Sequence, residues 1–458
     1  MLATTPSKRN TTDMTSGIIW RHIATFALPS ALGLLFQQLY NTVDSVVVGR
    51  FVGKQALAAV GGTTAIVSAM VCLCVGLSLG STITISQAYG ARDYHRLQDA
   101  VHTAVALTVL LAVFATALGL VLVVPLLNLM DIPPDVFDDA CLYLRIYFCG
   151  LLGLFLYNIG SAILRAVGNS RQPLYFLMFS AILNIALDLV FVVAFRLGVA
   201  GVAYATVLAQ FISAALVLYV LSRSGEVYAL NIKKIWISRY LLYPILSIGM
   251  TTGIQQAITS VSNVFVMSYI NQFGSSCTAG YSSFVKLEGY VTLPLQSIAM
   301  ATTTFGGQNY GAHDLVRAKK GISTCLLMAA CVTVTLSTLL LVFRRQAINL
   351  FSTDSEVIDF GSRFLLRACP FYVFTCLQHV FSSSMRGIGI ARAPTIILLS
   401  TLVAFRQLYL FIGRSIGITF EWVLFAFPIG WVSCGLLMAG YFMTTPLGLL
   451  LGVKRKDQ

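Results

Sequence analysis

The sequence predicts an all-α integral membrane protein of twelve transmembrane helices, arranged as two six-helix lobes. Three observations carry that prediction. Of 458 residues, 57% are hydrophobic and only 10% are charged, whereas a soluble domain carries about 25% charged residues. The apolar stretches reach the roughly 20 residues that a helix needs to cross the hydrocarbon. They show no sustained period-two alternation of the kind a membrane barrel requires. Finally, two unrelated motifs recur at the same offset of 221 residues. Gln87-Ala88-Tyr89-Gly90-Ala91-Arg92-Asp93 returns from Gln308 to Asp314, and Arg165-Ala166-Val167-Gly168 returns from Arg386 to Gly389. The chain is a tandem duplication.

Spans are expected near 24–48, 57–87, 100–124, 141–164, 174–195, 200–221, 241–270, 278–305, 321–343, 363–384, 393–413 and 422–444. Six crossings per copy return the chain to its starting side. The two halves therefore share one orientation, as a parallel internal repeat about a pseudo-two-fold axis along the membrane normal, a plan found in alternating-access transporters. Residues 1–221 form the N-terminal lobe, 222–240 a cytoplasmic linker and 241–458 the C-terminal lobe. The repeated motifs fall at cytoplasmic ends of spans. Glycine in each permits a tight turn, while Pro173 and Pro394 open the next helix.

The net charge of +13 could point to a polyanion partner. Its distribution excludes nucleic acid. With the N-terminus inside, nineteen of the 30 basic residues fall on inner segments, among them Lys8, Arg9, Arg92, Arg165, Lys233, Lys234, Arg317, Arg386, Lys454, Arg455 and Lys456. Six fall outside, where Asp131, Asp135, Asp138 and Asp139 gather instead. This positive-inside pattern puts both termini in the cytoplasm. The first 17 residues are polar and no signal peptide is evident. The ten cysteines form no CxxC pair and no Cys/His cluster, so packing is the expected role.

A carboxylate at a span centre costs about 2.5–3.5 kcal/mol on insertion scales. Of 17 acidic residues only Asp44, Asp188 and Glu288 lie well inside spans. On span 1, Gln37, Tyr40 and Asp44 make one polar stripe. Span 4 contributes Tyr143, Asn158 and Ser161, span 5 Asn184 and Asp188, and span 6 Thr206, within a run of small residues suited to close packing. Two carboxylates, an amide and a hydroxyl suit a sodium ion and equally suit a protonatable pair. Two close carboxylates in low dielectric cannot both ionise cheaply, so one is expected to hold a proton. The second half has diverged. Span 7 offers Gln255, Gln256, Ser260 and Asn263, which hydrogen-bond but do not titrate, and span 11 offers Arg406, whose partner the sequence does not name. Lys286 and Glu288 share span 8 but, two residues apart, do not face each other.

These residues resemble the bacterial branch of the multidrug and toxic compound extrusion (MATE) transporters. The likeness runs from Pro29 to about Gly430. Its specific parts are the run from Gln37 to Arg50 with Asp44 at its centre, the repeated Gln-x-Tyr-Gly-Ala-x-Asp motif, Ile163 to Gly168, and Leu183 to Asp188. The resemblance implies export of small-molecule organic cations and amphipathic drugs from the bacterial cytoplasmic membrane, driven by inward flow of H+ or Na+ and without another cofactor. It implies that Asp44, Asn184, Asp188 and Thr206 form the ion site and that Tyr40, Tyr143 and Asn158 line the same cavity. Pro29 matches a proline linked to bending of span 1. Further cavity or substrate candidates are Gln37, Ser161, Gln256, Asn263 and Glu288. The lipid bilayer is the surrounding partner and a monomer the expected state. The C-terminal lobe departs from those members that carry a span-7 carboxylate for Na+.

Two rival readings compete with this one. A flippase of lipid-linked precursors would need central basic residues, and only Lys286 and Arg406 qualify. An intramembrane hydrolase could use Ser78 in Gly76-Leu77-Ser78-Leu79-Gly80, but that pattern needs a strand–turn–helix elbow and a histidine, with His95, His102 and His379 the candidates. A receptor or structural role would leave the clustered carboxylates unexplained.

Overall fold

The computed structural model describes residues 12–130 and 132–452. No β-strand occurs among them, so the all-helical expectation holds. The helices are α1 (Ile19–Val47), α2 (Lys54–Gly90), α3 (Tyr94–Leu129), α4 (Pro134–Cys149), α5 (Leu151–Ala166), α6 (Arg171–Asp188), α7 (Gly198–Arg223), α8 (Arg239–Asn271), α9 (Ser275–Gly311), α10 (Leu315–Val342), α11 (Arg344–Asn349), α12 (Ser355–Ala368), α13 (Tyr372–Gly387), α14 (Arg392–Leu398), α15 (Arg406–Ser415), α16 (Phe420–Met443) and α17 (Pro446–Gly452). π-Helical segments continue α1 (Val48–Val52), continue α6 (Leu189–Ala194), and join α14 to α15 (Leu399–Phe405).

Each expected span falls on a helix or a joined pair. Among the described residues, nine helices are long and apolar enough to cross a membrane, and ten if α4 and α5 count as one span. That pair bends by 46°, where a single straight span 141–164 was expected. The break sits at Gly150, whose missing side chain leaves room for Val207 of α7. The two expected spans outside that tally are α8 and α9. At 33 and 37 residues they are long enough, but they carry Thr251, Gln255, Gln256, Ser260 and Asn263, and Lys286 and Glu288. Such residues require shielding from lipid by protein or water.

The chain divides into two compact units. One is built on Leu32–Gly253, the other on Met14–Ala31 together with the chain from Ile254 onward. Both divisions fall inside helices, in α1 two residues beyond Pro29 and in α8 just after Gly253. The first unit has two apolar cores, one around Phe148, Tyr147 and Val202, the other around Leu97, Ile163 and Leu241. The second also has two, around Phe305 and Met438 and around Phe284, Phe364 and Tyr372. Large apolar side chains such as Phe114, Val121, Ile182 and Leu327 remain exposed, as lipid-facing positions do.

The repeated motifs are helix-ending devices. Asp93 and Asp314 cap α3 and α10, accepting from the backbone N–H of Arg96 at 3.0 Å and of Arg317 at 2.8 Å. Here one expectation is corrected. Gly90 and Gly311 are the last helical residues, and the left-handed turn is taken by Arg92 (φ 56°) and His313 (φ 58°). In the other motif the glycines do make the turn, Gly168 at φ 86° and Gly389 at φ 91°. Arg317 donates to the carbonyls of Met14, Ser16 and Gly17, at 3.1, 2.7 and 2.9 Å. The segment before α8 docks on α3, where Trp236 stacks on His102 at 4.3 Å and donates to Asp99 at 3.0 Å. The flanking charges Lys8, Arg9, Asp131, Lys454, Arg455 and Lys456 lie outside the described residues.

The hydrolase reading fails on backbone geometry. Ser78 sits in the middle of the unbroken helix α2, with no elbow, and His102 is occupied by Trp236 and by the N–H of Asn231. Gly76 and Gly80 serve packing instead, since a Cβ on either would run into the backbone of α8.

Candidate functional site

The first unit places Asp44 on α1 and Asp188 at the last residue of α6. Both are followed by a π-helical segment, Val48–Val52 after Asp44 and Leu189–Ala194 after Asp188, and the two segments touch. π-Turns widen a helix and recur at functional sites. No residue pattern in the chain announces them.

Asp188 is fully buried and Asn184, one turn earlier, is 1% exposed. Asn184 donates through Nδ2 to the Thr206 hydroxyl of α7 at 3.4 Å, and Tyr40 shares the polar stripe of α1 with Asp44. The Asp44 and Asp188 carboxyls interact with each other. Both bring acceptors only. Asp44 Oδ1, both Asp188 oxygens and Asn184 Oδ1 are buried with no donor among the described residues. Buried acceptors in that state are costly, and a proton or cation between the carboxyls relieves the cost. The two oxygens of Asp188, one of Asp44 and the amide oxygen of Asn184 also fit Na+, which is a hard cation served by oxygen ligands.

Other predicted residues fall at graded distance from this centre. Tyr143 is buried on α4 and stacks with Tyr147 at 6.1 Å. Sequence reasoning missed Tyr147, though its spacing of four from Tyr143 was a usable signal. Ser161 is buried on α5. Asn158 spends its amide N–H on the Leu154 carbonyl at 2.8 Å, within its own helix. Gln37 is exposed, two turns before Asp44.

The second unit answers what Arg406 and Lys286 do. Arg406, 6% exposed, follows directly on the third π-helical segment. It donates to Ser262 Oγ at 3.1 Å and Asn263 Oδ1 at 2.7 Å. Lys286 is exposed, with its ammonium 5.4 Å from the Phe351 ring centroid. Glu288 is half-buried and interacts electrostatically with Arg406. Gln256 is half-buried and accepts from Ser260 through its carbonyl at 3.0 Å. Among the described residues, no three His, Cys, Asp or Glu side chains gather in one place.

Comparison with known proteins places this geometry in context. The MatE family model matches twice, over residues 29–190 and 252–411, one match to each copy of the duplication. A Bacillus subtilis protein described as "Probable multidrug resistance protein YoeA" is 32% identical over 389 residues, covering 83% of both chains. A second from the same organism, "Probable multidrug resistance protein YpnP", is 29% identical, covering 82% of this chain and 84% of its own. A solved structure described as the outward-facing conformation of a multidrug resistance MATE family transporter shares the fold. Its TM-score is 0.90 at 22% identity, over 99% of this chain and all of the other.

Proposed function

The chain belongs to the MatE family, and on that premise we propose that it is a secondary antiporter exporting organic cations and amphipathic drugs in exchange for H+ or Na+. The observation that carries the reading is the pair Asp44 and Asp188, of which Asp44 Oδ1 and both Asp188 oxygens are buried with no donor among the described residues. A structural role would have supplied a partner for each.

In the proposed cycle, one H+ or Na+ enters between the two carboxyls, with Asn184 and Thr206 completing its oxygen shell. Neutralising that charge removes the repulsion between Asp44 and Asp188 and lets α1 and α6 approach. Tyr40 shares the polar stripe of α1 with Asp44 and moves with it. Pro29 lacks a backbone N–H, so α1 has a flexible point, two residues from where the helix passes from one unit to the other. Drug release follows this rearrangement, and loss of the cation to the cytoplasm resets the site. Both termini lie in the cytoplasm in this scheme, the lobes are 1–221 and 241–458, and a monomer suffices.

The test is efflux of ethidium from a pump-deficient bacterial host at matched expression. Asp44→Asn and Asp188→Asn each abolish energised efflux if the reading holds. Efflux that survives both changes removes the site assignment. The flippase reading has less support. Lys286 is exposed and Arg406 is tied to Ser262 and Asn263, which leaves no cluster of free cations for a pyrophosphate.

A further inference from the structure

We propose that Arg317 is a positioning residue of the transport cycle: it grips the main chain of Met14–Gly17, fixes the foot of α1, and so turns movement at Asp44 into bending at Pro29. The proposal deepens the antiporter reading and rests on Asp44 being part of the cation site.

The segment before α1 is held by its backbone. Arg317 donates through Nε to the Met14 carbonyl, and through one terminal nitrogen to the carbonyls of Ser16 and Gly17. The Met14 N–H donates to Gln308 Oε1 at 3.1 Å, and Asn309 Nδ2 donates to the Met14 carbonyl at 3.3 Å. Met14, Gln308 and Asn309 are all fully buried, and the Met14 side chain joins the core of Phe305, Ala318 and Ile322. The guanidinium carbon lies 5.7 Å from the Phe305 ring centroid, which fixes the direction of the fork. His22, in the first turn of α1, bonds the Ser16 carbonyl at 2.7 Å, so the segment is tied to the helix it precedes.

The device recurs in the duplication. At the 221-residue offset, Met14–Gly17 corresponds to Ile235–Ser238, the segment before α8. There the Trp236 side chain and the Ser238 N–H are held by Asp99 and Thr103 of α3, each at 3.0 Å. Helices α1 and α8 therefore both start from a gripped foot, one on α10 and the other on α3. In the second copy the repeated motif builds the seat, since Gln308 opens it and Arg317 follows three residues after its aspartate. The foot of α1 belongs to the second unit, and the helix passes to the first two residues beyond Pro29, before it reaches Asp44. A push at one end of a helix shifts the whole rod when the other end is free. With the foot pinned, the same push bends the rod at its weakest point. Pro29 is that point, because it withdraws one backbone hydrogen bond.

The experiment measures amide hydrogen exchange at Met14 and ethidium transport, both on the purified full chain in liposomes. Wild type is expected to protect the Met14 N–H; an unprotected amide there overturns the proposal, and that arm needs no variant. Arg317→Gln keeps the backbone cap on Asp314 but loses bonds to a charged group, each worth about tenfold or more. Hydrogen exchange at Met14 should then rise at least about tenfold. Ethidium movement driven by a proton or sodium gradient should fall by a similar factor, while swapping of labelled for unlabelled ethidium without a gradient keeps its wild-type rate. Met14→Ser loosens the same foot from the other side and should reproduce both effects, which decides the matter if Arg317→Gln does not fold. A parallel fall of both transport modes overturns the proposal, because a tie that only stabilises the fold gives that result. Gradient-driven movement at the wild-type rate with a freely exchanging foot overturns it too. Asp188→Asn in the same assay separates the two readings, since continued pumping there refutes the cation site, whereas the Arg317→Gln outcomes refute the foot.

Discussion

Replacing Gly76 by alanine tests how the first unit is packed. A Cβ at this position would overlap the Gly249 carbonyl and lie 2.6 Å from the Gly253 nitrogen and 2.8 Å from its Cα. Carbon atoms settle at about 3.5–4.0 Å, so α2 and α8 must part by roughly 1 Å. The obstacle is backbone and cannot rotate away. Overpacking of this kind costs about 1–3 kcal/mol, against a gain of about 1 kcal/mol for alanine over glycine in a helix. The net is a loss of about 1 kcal/mol, read as a fall in melting temperature in a fixed detergent. Gly61 provides the internal control. It lies in the same helix with no atom within 4 Å of its would-be Cβ, so Gly61→Ala should leave the melting temperature unchanged or raise it. If Gly76→Ala melts together with Gly61→Ala at or above wild type, the close approach of α2 and α8 is wrong.

Three further outcomes follow from the packing. Ser78→Ala should leave drug efflux intact, because Ser78 sits mid-helix without an elbow; loss of efflux with normal folding would revive a chemical role. Asp93→Ala and Asp314→Ala should each lower stability by about 0.5–2 kcal/mol through loss of a helix cap, and the corresponding asparagines should restore most of it in the same melting assay. Trp236→Phe removes the N–H given to Asp99 but keeps a ring over His102, so limited proteolysis across 222–240 should accelerate less than in Trp236→Ala.

The legible parts of this protein were those governed by periodicity and repetition. Apolar stretch length placed the spans on helices and the 221-residue offset announced the duplication, but the cores do not follow the copies, since Met14, Ile23 and Phe26 pack with the second copy and Leu241 and Ile245 with the first. Burial cost picked out Asp44 and Asp188, and the structure brings them together across α1 and α6. Local backbone was less legible. Gly90 and Gly311 looked like turn residues, but the capping aspartates pin the chain so that Arg92 and His313 adopt the left-handed conformation. The bend at Gly150 sits against Val207 and the three π-helical segments lie near Asp44, Asp188 and Arg406, and no spacing rule encodes them. The partners of Arg406 lie 143 and 144 residues away, too remote for any local pattern. Gln37 stands on the sequence's polar stripe with Tyr40 and Asp44, and Asn158 comes from the family resemblance; the structure leaves Gln37 exposed and gives Asn158 a bond within its own helix.

Gradient-driven transport by purified protein in liposomes tests the central claim most directly. Ethidium movement is followed with an imposed proton or sodium gradient, and separately as exchange of labelled for unlabelled ethidium with no gradient. In Asp188→Asn, gradient-driven movement should vanish while exchange continues, because the carboxyl pair couples the cation and does not hold the drug. Movement in Asp188→Asn that still follows the gradient at the wild-type rate would contradict the account.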